Sequence, residues 1–326
     1  MAQPMLARLR QKRPALAIDV LAPRWVLPLL RRMPEVGEAI ESPFGHGELN
    51  LRGRWQLGRS LAMRGYAQAI VLPNTLKSAL VPFFADIPLR AGYLGESRYG
   101  LLNIRHKLDR KNPPPMVERY LALVGRPGDP LAEAPPDTHL TLSGDNLARA
   151  LVQLSLPPPS DARPVAVLCP GAEYGPAKRW PAEHYAELAA KLGASGFSVW
   201  LMGSAADHPV GEAILSVQAG SAVNLCGKTD LASAIDLIGV AHVVVSNDSG
   251  LMHIAAALGR PMVALFGSSS PLHTPPRSRK ARVQYLALDC SPCFARECPL
   301  GHFRCMRDLS PSRVFGEALA AAGRDR

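Results

Sequence analysis

The 326-residue sequence has no apolar run long enough to cross a bilayer. Its longest, such as "HVVVS" and "MVALFG", fall far short of the roughly 20 residues that a spanning helix needs. It does not open on a basic stretch, an apolar core and a small-residue cleavage site, so no signal peptide is read and a cytoplasmic location is expected. Histidine-rich tracts and internal repeats are missing. Lys and Arg are scattered rather than gathered into a compact nucleic-acid reading motif. No G-x-G-x-x-G follows a strand, and there is no G-x-x-x-x-G-K-[ST] and no G-x-S-x-G. No Asp-x-Asp pair stands in a loop suited to a Mg²⁺–diphosphate complex. The standard dinucleotide, P-loop and hydrolase-elbow readings therefore fall away.

What is present is an ordinary globular composition, 47% hydrophobic and 20% charged, in a chain long enough for two domains. The 37 Lys and Arg outweigh 27 Asp and Glu, giving a net charge of +10. That balance suits an anionic partner, although an arginine-rich proteome explains it equally well. Of six cysteines, Cys169 and Cys226 lie in expected strands as buried thiols. Cys290, Cys293, Cys298 and Cys305 cluster in "CSPCFARECPLGHFRC". A Cys-x2-Cys pair with two more cysteines nearby is compatible with zinc or iron–sulfur. The second pair, however, is separated by six residues, and reduced thiols in a surface loop account for it. No metal is expected.

Strand and helix patterns alternate along the chain, which predicts an α/β fold with parallel sheets. The first half reads as a helix at 2–12, strand "ALAIDVLA", helix "RWVLPLLRRM", a strand at 38–41, helix "LRGRWQLGRSLAMRG" and strand "AQAIVLPN". A helix at 76–85, a strand at 89–93, a helix from 115 and a last strand–helix pair complete it. "LSLPPPSDARP", residues 154–164, is dense in proline and reads as a linker, dividing the chain into domains 1–156 and 157–326. The second domain alternates strands at 165–172, 197–204, 222–227, 242–248 and 261–267 with helices between them. The first opens directly on a helix, "MAQPMLARLRQ", where a doubly wound domain normally has a strand; Met1 thus reads as an internal methionine of a truncated domain.

Two loops of the second domain carry the chemistry. "VVVSNDSGLMHIAAALGRP" ends a strand in Asp248, Ser249 and Gly250 and places His253 one turn into a helix. A helix start offers unpaired N–H groups and a positive dipole end, which suits a phosphate. Asp248 is the expected cap; ordinary caps with a surface histidine are the plainer alternative. "CPGAEYGPAKRWP" supplies Gly171 and Gly175 for tight turns, Lys178 and Arg179 for charge, and Trp180 as a wall. Two anion-competent loops at strand carboxyl ends suit one diphosphate. In "GSAADH", Asp207 is placed to accept from ribose hydroxyls or, equally, to cap a helix.

"PGAEYGPAKRWP" together with "SNDSGLMHIAAALGRPMVALFG" resembles the ADP-heptose:lipopolysaccharide heptosyltransferases, glycosyltransferase family 9. "MPEVGEAIESPFGHGEL", "VLPNTLKSALVPFFADIPLRAGY" and "RYGLLN" resemble their subtype II. The resemblance implies a GT-B type fold, two Rossmann-like doubly wound domains facing across a cleft, with the acceptor in the first and the nucleotide sugar in the second. It implies inverting, metal-independent transfer of heptose from ADP-heptose to the first heptose of a heptosyl-Kdo2-lipid A type acceptor. The enzyme would need no cofactor and would touch the cytoplasmic face of the inner membrane peripherally. Lys178 would neutralise the donor diphosphate, with Asp248, Ser249, Gly250 and His253 as the opposite wall. Lys77, Ser78 and Arg90 would lie on the acceptor side. The family's general base, an aspartate in a Gly-Asp turn, is expected upstream of Met1. Another nucleotide-sugar transferase or epimerase of this fold, or a non-catalytic nucleotide-binding remnant, remains an alternative.

Overall fold

The structure, a computed structural model, describes residues 1–109, 111–218, 220 and 222–324. The chain to residue 136 runs through α1 (Gln3–Lys12), β1 (Val20–Pro23), α2 (Leu27–Leu30), β2 (Ala39–Ser42), α3 (Leu51–Ala62), β3 (Gln68–Val71), α4 (Leu76–Phe84), β4 (Leu89–Tyr93), β5 (Ile104–His106) and α5 (Met116–Leu121). β1 and β2 form one parallel pair, and β3, β4 and β5 a parallel sheet in that order. Asn50 starts α3 by accepting from Gly53 N at 2.9 Å. The helix then lays Leu57 and Leu61 against Val81, Ala85 and Ile87. Gly58 makes this possible, because a Cβ there would lie 2.5 Å from Phe84 Cβ. The Arg98 guanidinium, fully buried, donates to Pro73 O (2.7 Å) and Tyr93 O and so pins the loop ahead of α4.

The later chain forms α6 (Gly144–Gln153), β6 (Val165–Cys169), α7 (Ala182–Ala194), β7 (Ser198–Leu201), α8 (His208–Val217), β8 (Val223–Asn224), α9 (Leu231–Gly239), β9 (Val243–Asn247), α10 (Gly250–Ala257), β10 (Met262–Phe266), β11 (Ala281–Tyr285), α11 (Arg304–Arg307) and α12 (Pro311–Ala321). Its six strands are all parallel, in the order β11-β10-β9-β6-β7-β8. Counted within this unit, that is the doubly wound order 3-2-1-4-5-6, which reverses between β6 and β9. Both faces are covered: Val167, Trp200, Val244 and Phe266 lie in one core layer, Leu168, Leu201, Val245 and Leu265 in the other. Strands buried on both sides can be apolar throughout, as β6 and β10 are. Each large side chain so buried contributes about 1.5–3 kcal/mol.

The compact units are 1–27 with 35–136, and 28–34 with 137–326. The expected boundary at 156/157 therefore falls inside the second unit. α6 belongs there because Ala150 and Leu151 enter the core layer of Ile235 and Leu237. Asp236, fully buried, accepts from Ser143 N (2.9 Å) and Asn146 Nδ2 (2.8 Å) and pairs with Arg32 at 2.6 Å. The proline-rich stretch at 154–164 is a loop between α6 and β6, not a linker.

Candidate active site

The loops that follow β6 and β9 leave the carboxyl ends of adjacent strands, at the point where the strand order reverses. Lys178 closes a short 3-10 turn, Pro176–Lys178, and its Nζ lies 2.6 Å from Asp248 Oδ2. The ammonium also stands 5.3 Å from the centre of the Tyr174 ring. A brace from the cysteine-rich segment supports this loop: Ala177 N donates to Arg296 O (3.0 Å) and the Tyr174 hydroxyl to Phe294 O (2.8 Å). Gly175 packs so closely on Arg296 O that no Cβ fits.

Across from Lys178, the elbow into α10 is built differently from the expectation. Asp248 does not cap the helix; its carboxylate turns to Lys178. Ser249 is the N-cap residue, in extended conformation, and its hydroxyl meets Ser246 Oγ at 3.1 Å rather than a backbone N–H of the first turn. The helix start has no side-chain cap, which leaves its N–H groups facing outward with the positive end of the dipole. A Cβ on Gly250 would meet nothing within 4 Å, so the space before these groups is open. His253 is half-buried one turn on; burial lowers its imidazole pKa, and the charges of Asp248 and Lys178 reach it. Phosphate oxygens between Lys178 and the helix start would meet a cation and unpaired N–H donors together.

Several expected roles are not what the structure shows. Trp180 is no wall: it is 1% exposed, and its indole N–H donates to Leu309 O (2.9 Å) inside the core. Arg179 turns its guanidinium back to Ala172 O. Asp207 is buried, accepts from Ser204 N (2.9 Å) and Ser204 Oγ (2.7 Å), and packs over Gly171 so tightly that a Cβ there would collide. Both bonds fall on Oδ2 and complete a capping box, the helix-capping role that the sequence offered equally.

In the first unit, Lys77 and Ser78 sit in the opening turn of α4, beyond the carboxyl end of β3. Ser78 Oγ lies 2.6 Å from Thr75 Oγ1, while the Glu96 carboxylate accepts from Leu76 N at 2.7 Å. Arg90 is elsewhere. It is the second residue of β4, and in a parallel sheet that places it toward the opposite edge from Lys77 and Ser78. Its guanidinium donates to Ile87 O (2.6 Å) and Leu101 O (2.7 Å) and bears on the Phe83 ring. Cys290, Cys293, Cys298 and Cys305 line one cavity of about 20 Å³ with His302 and Ala177. Among the described residues, no three His, Cys, Asp or Glu side chains are gathered closely enough to hold a metal ion. Cys169 and Cys226 are buried, and burial pushes the Cys226 thiol up to about 12.

The model of glycosyltransferase family 9 (heptosyltransferase) matches residues 54–304. The chain is 47% identical over 329 residues to lipopolysaccharide heptosyltransferase 2 of Escherichia coli (strain K12), covering 98% of this chain and 94% of that one. The chain belongs to glycosyltransferase family 9. The solved E. coli ADP-heptose lipopolysaccharide heptosyltransferase II superposes with a TM-score of 0.85 at 44% identity, over 99% of this chain and 94% of that one. A family 9 glycosyltransferase from Veillonella parvula shares the fold at a TM-score of 0.84 with 19% identity, covering 99% and 93%. The fold is thus of the GT-B type that these family 9 enzymes share, and the chain is a glycosyltransferase. In this family 9 chain the sequence reading missed Tyr174 and the Phe294–Arg296 brace behind Lys178. The signal for Tyr174 was its place between two glycines and a cation; nothing local marks a brace 120 residues away.

Proposed function

We propose that this chain transfers L-glycero-D-manno-heptose from ADP-heptose to the first heptose of the lipopolysaccharide inner core. The observation that carries the reading is the Lys178–Asp248 pair set before an uncapped helix start. The donor diphosphate is held by Lys178 and the α10 N–H groups, with Gly250 leaving room and His253 on the same wall. As the acceptor hydroxyl gives its proton to a general base and attacks the anomeric carbon, inverting it through an oxocarbenium-like state, the bond to the diphosphate breaks and negative charge grows on the departing ADP. The fixed cation and the oriented N–H groups stabilise that charge where it develops. Metal ions take no part in this arrangement.

On the first unit, Lys77 and Ser78 face the anionic inner-core acceptor. The protein works at the cytoplasmic face of the inner membrane. The net charge of +10 supports this, as do the exposed Trp25, Trp55 and Met63, the last 90% accessible. We read the contact as peripheral; among the described residues, no helix is long and apolar enough to cross a membrane.

The test is transfer from ADP-heptose to heptosyl-Kdo2-lipid A in the presence of EDTA, followed by mass spectrometry. A gain of one heptose on that acceptor, and none on Kdo2-lipid A lacking heptose, is expected. Transfer to the unheptosylated acceptor, or use of a UDP-sugar in its place, would overturn the assignment.

A further inference from the structure

Asn247 closes β9 with its side chain fully buried. Its Oδ1 accepts from Trp180 N (3.2 Å) and lies 3.1 Å from the Tyr185 hydroxyl, whose single hydrogen it shares with Cys169 O (3.2 Å). Its Nδ2 donates to Pro170 O (2.8 Å), with a longer reach to Gly171 O (3.5 Å). Pro170 and Gly171 begin the Lys178 loop, and Trp180 ends it. One carboxamide therefore grips both ends of that loop, while the next residue along, Asp248, holds Lys178 in its middle. Only a group that accepts on one side and donates on the other serves both ends; an ionised carboxylate of the same shape has no donor for Pro170 O. A buried polar group without its partner carries a large penalty, so the arrangement is rigid while complete.

We propose that Asn247 is a positioning residue for the nucleotide sugar: it fixes both ends of the Lys178 loop to the α10 elbow, so that the ammonium and the helix N–H groups meet the diphosphate as one preformed site. The proposal rests on the donor-site reading given above. Because the site that Asn247 sets both holds the donor and meets the charge that grows on departing ADP, its loss raises donor KM and lowers kcat as well.

The experiment compares Asn247→Asp and Tyr185→Phe with the unaltered chain, measuring donor KM and kcat from about pH 8 down to about pH 5, with calorimetric ADP binding alongside. The titratable group facing the carboxamide is the Tyr185 phenol, pushed up by burial and so silent in this range; His184, whose ring packs on Trp180, is lowered by burial and is common to all three proteins. Lys178 and Asp248 beyond them are common to all three proteins. In N247D the ionised carboxylate repels Pro170 O, while its protonated form donates to it again. KM for the donor rises about tenfold at the upper pH, the loss of one hydrogen bond, and returns toward the unaltered value on acidification. Y185F raises KM about threefold with no such recovery. An N247D KM that is unchanged, or raised equally at every pH, overturns the positioning role. Should N247D fail to fold, an unchanged KM in Y185F overturns it. ADP bound at full strength by both variants overturns this proposal alone; no ADP binding by the unaltered chain overturns the donor-site reading and this proposal with it.

Discussion

Lys178 Nζ sits 2.6 Å from Asp248 Oδ2, joining two loops 70 residues apart in the chain. The Asp248 side chain is 6% exposed and that of Lys178 19%, so the cation is the wetter partner and the one able to reach a ligand. Lys178→Ala removes a fixed charge from the departing diphosphate and should lower kcat/KM by about 10²–10³-fold. It also leaves a buried carboxylate unpaired, so a stability loss of about 1–3 kcal/mol should accompany it. Steady-state kinetics beside denaturant melts measure both. Unchanged kinetics with lowered stability would make the pair structural only.

Gly250 separates ligand space from packing. Since a Cβ there meets no atom within 4 Å, Gly250→Ala should melt at or slightly above the original temperature. If the donor phosphates lie against the helix start as proposed, the same methyl takes space they need and should weaken donor binding about tenfold or more. If calorimetry finds ADP affinity intact, the helix start is not the phosphate site.

Gly171 and Asp207 form the opposite case. Gly171→Ala drives a Cβ into the Asp207 carboxylate and should destabilise the protein by about 1–3 kcal/mol or more. Adding Asp207→Ala should recover part of that loss, so the two changes should be strongly non-additive in denaturant melts. Additive losses would show that the carboxylate moves aside at little cost.

His253 gives a pH signature. Burial, ahead of neighbouring charges, brings its imidazole down to about 4, so the native state holds this proton less readily than the unfolded chain, where histidine titrates near 6.5. Its contribution to stability is whole above 6.5 and is lost as pH falls toward about 4. His253→Gln should therefore lose less melting temperature than the unaltered protein across that window. His106 and His184, also lowered by burial, are present in both and cancel. Equal slopes would mean that His253 charges freely in the fold.

The legible parts of the fold are those where one physical pattern suffices. β6 and β10 are unbroken apolar runs and β9 opens on one, each bounded by turn residues, and their order in the sheet puts the Lys178 and Asp248 loops side by side. β11 was missed because "ARVQY" is an edge strand with most of its residues partly exposed, without an apolar run. β5 is three residues long, too short for any periodicity, and among the described residues no strand follows it before α6. Lys178 was readable as a cation in a glycine-rich loop; that Asp248 answers it rather than capping α10 depends on a partner 70 residues away. Arg90 was misplaced although the sequence held the clue, since a residue near the start of a parallel strand lies toward the edge away from the carboxyl-end loops. Trp180 follows two cations and reads as surface, but Leu309, 129 residues later, supplies the carbonyl that takes its N–H inside.

The Arg32–Asp236 pair has a consequence for how the protein is made. Asp236 follows Arg32 by 204 residues, and at about 5–20 residues per second a ribosome needs on the order of ten to forty seconds to deliver it. Through that interval residues 28–34 belong to a unit not yet synthesised, and Leu29 and Met33 have no core layer to enter. Residues 1–27 and 35–136 are complete well before then, with an apolar, arginine-bearing loop hanging from them. A nascent chain of this design has to keep one short segment uncommitted while everything around it folds.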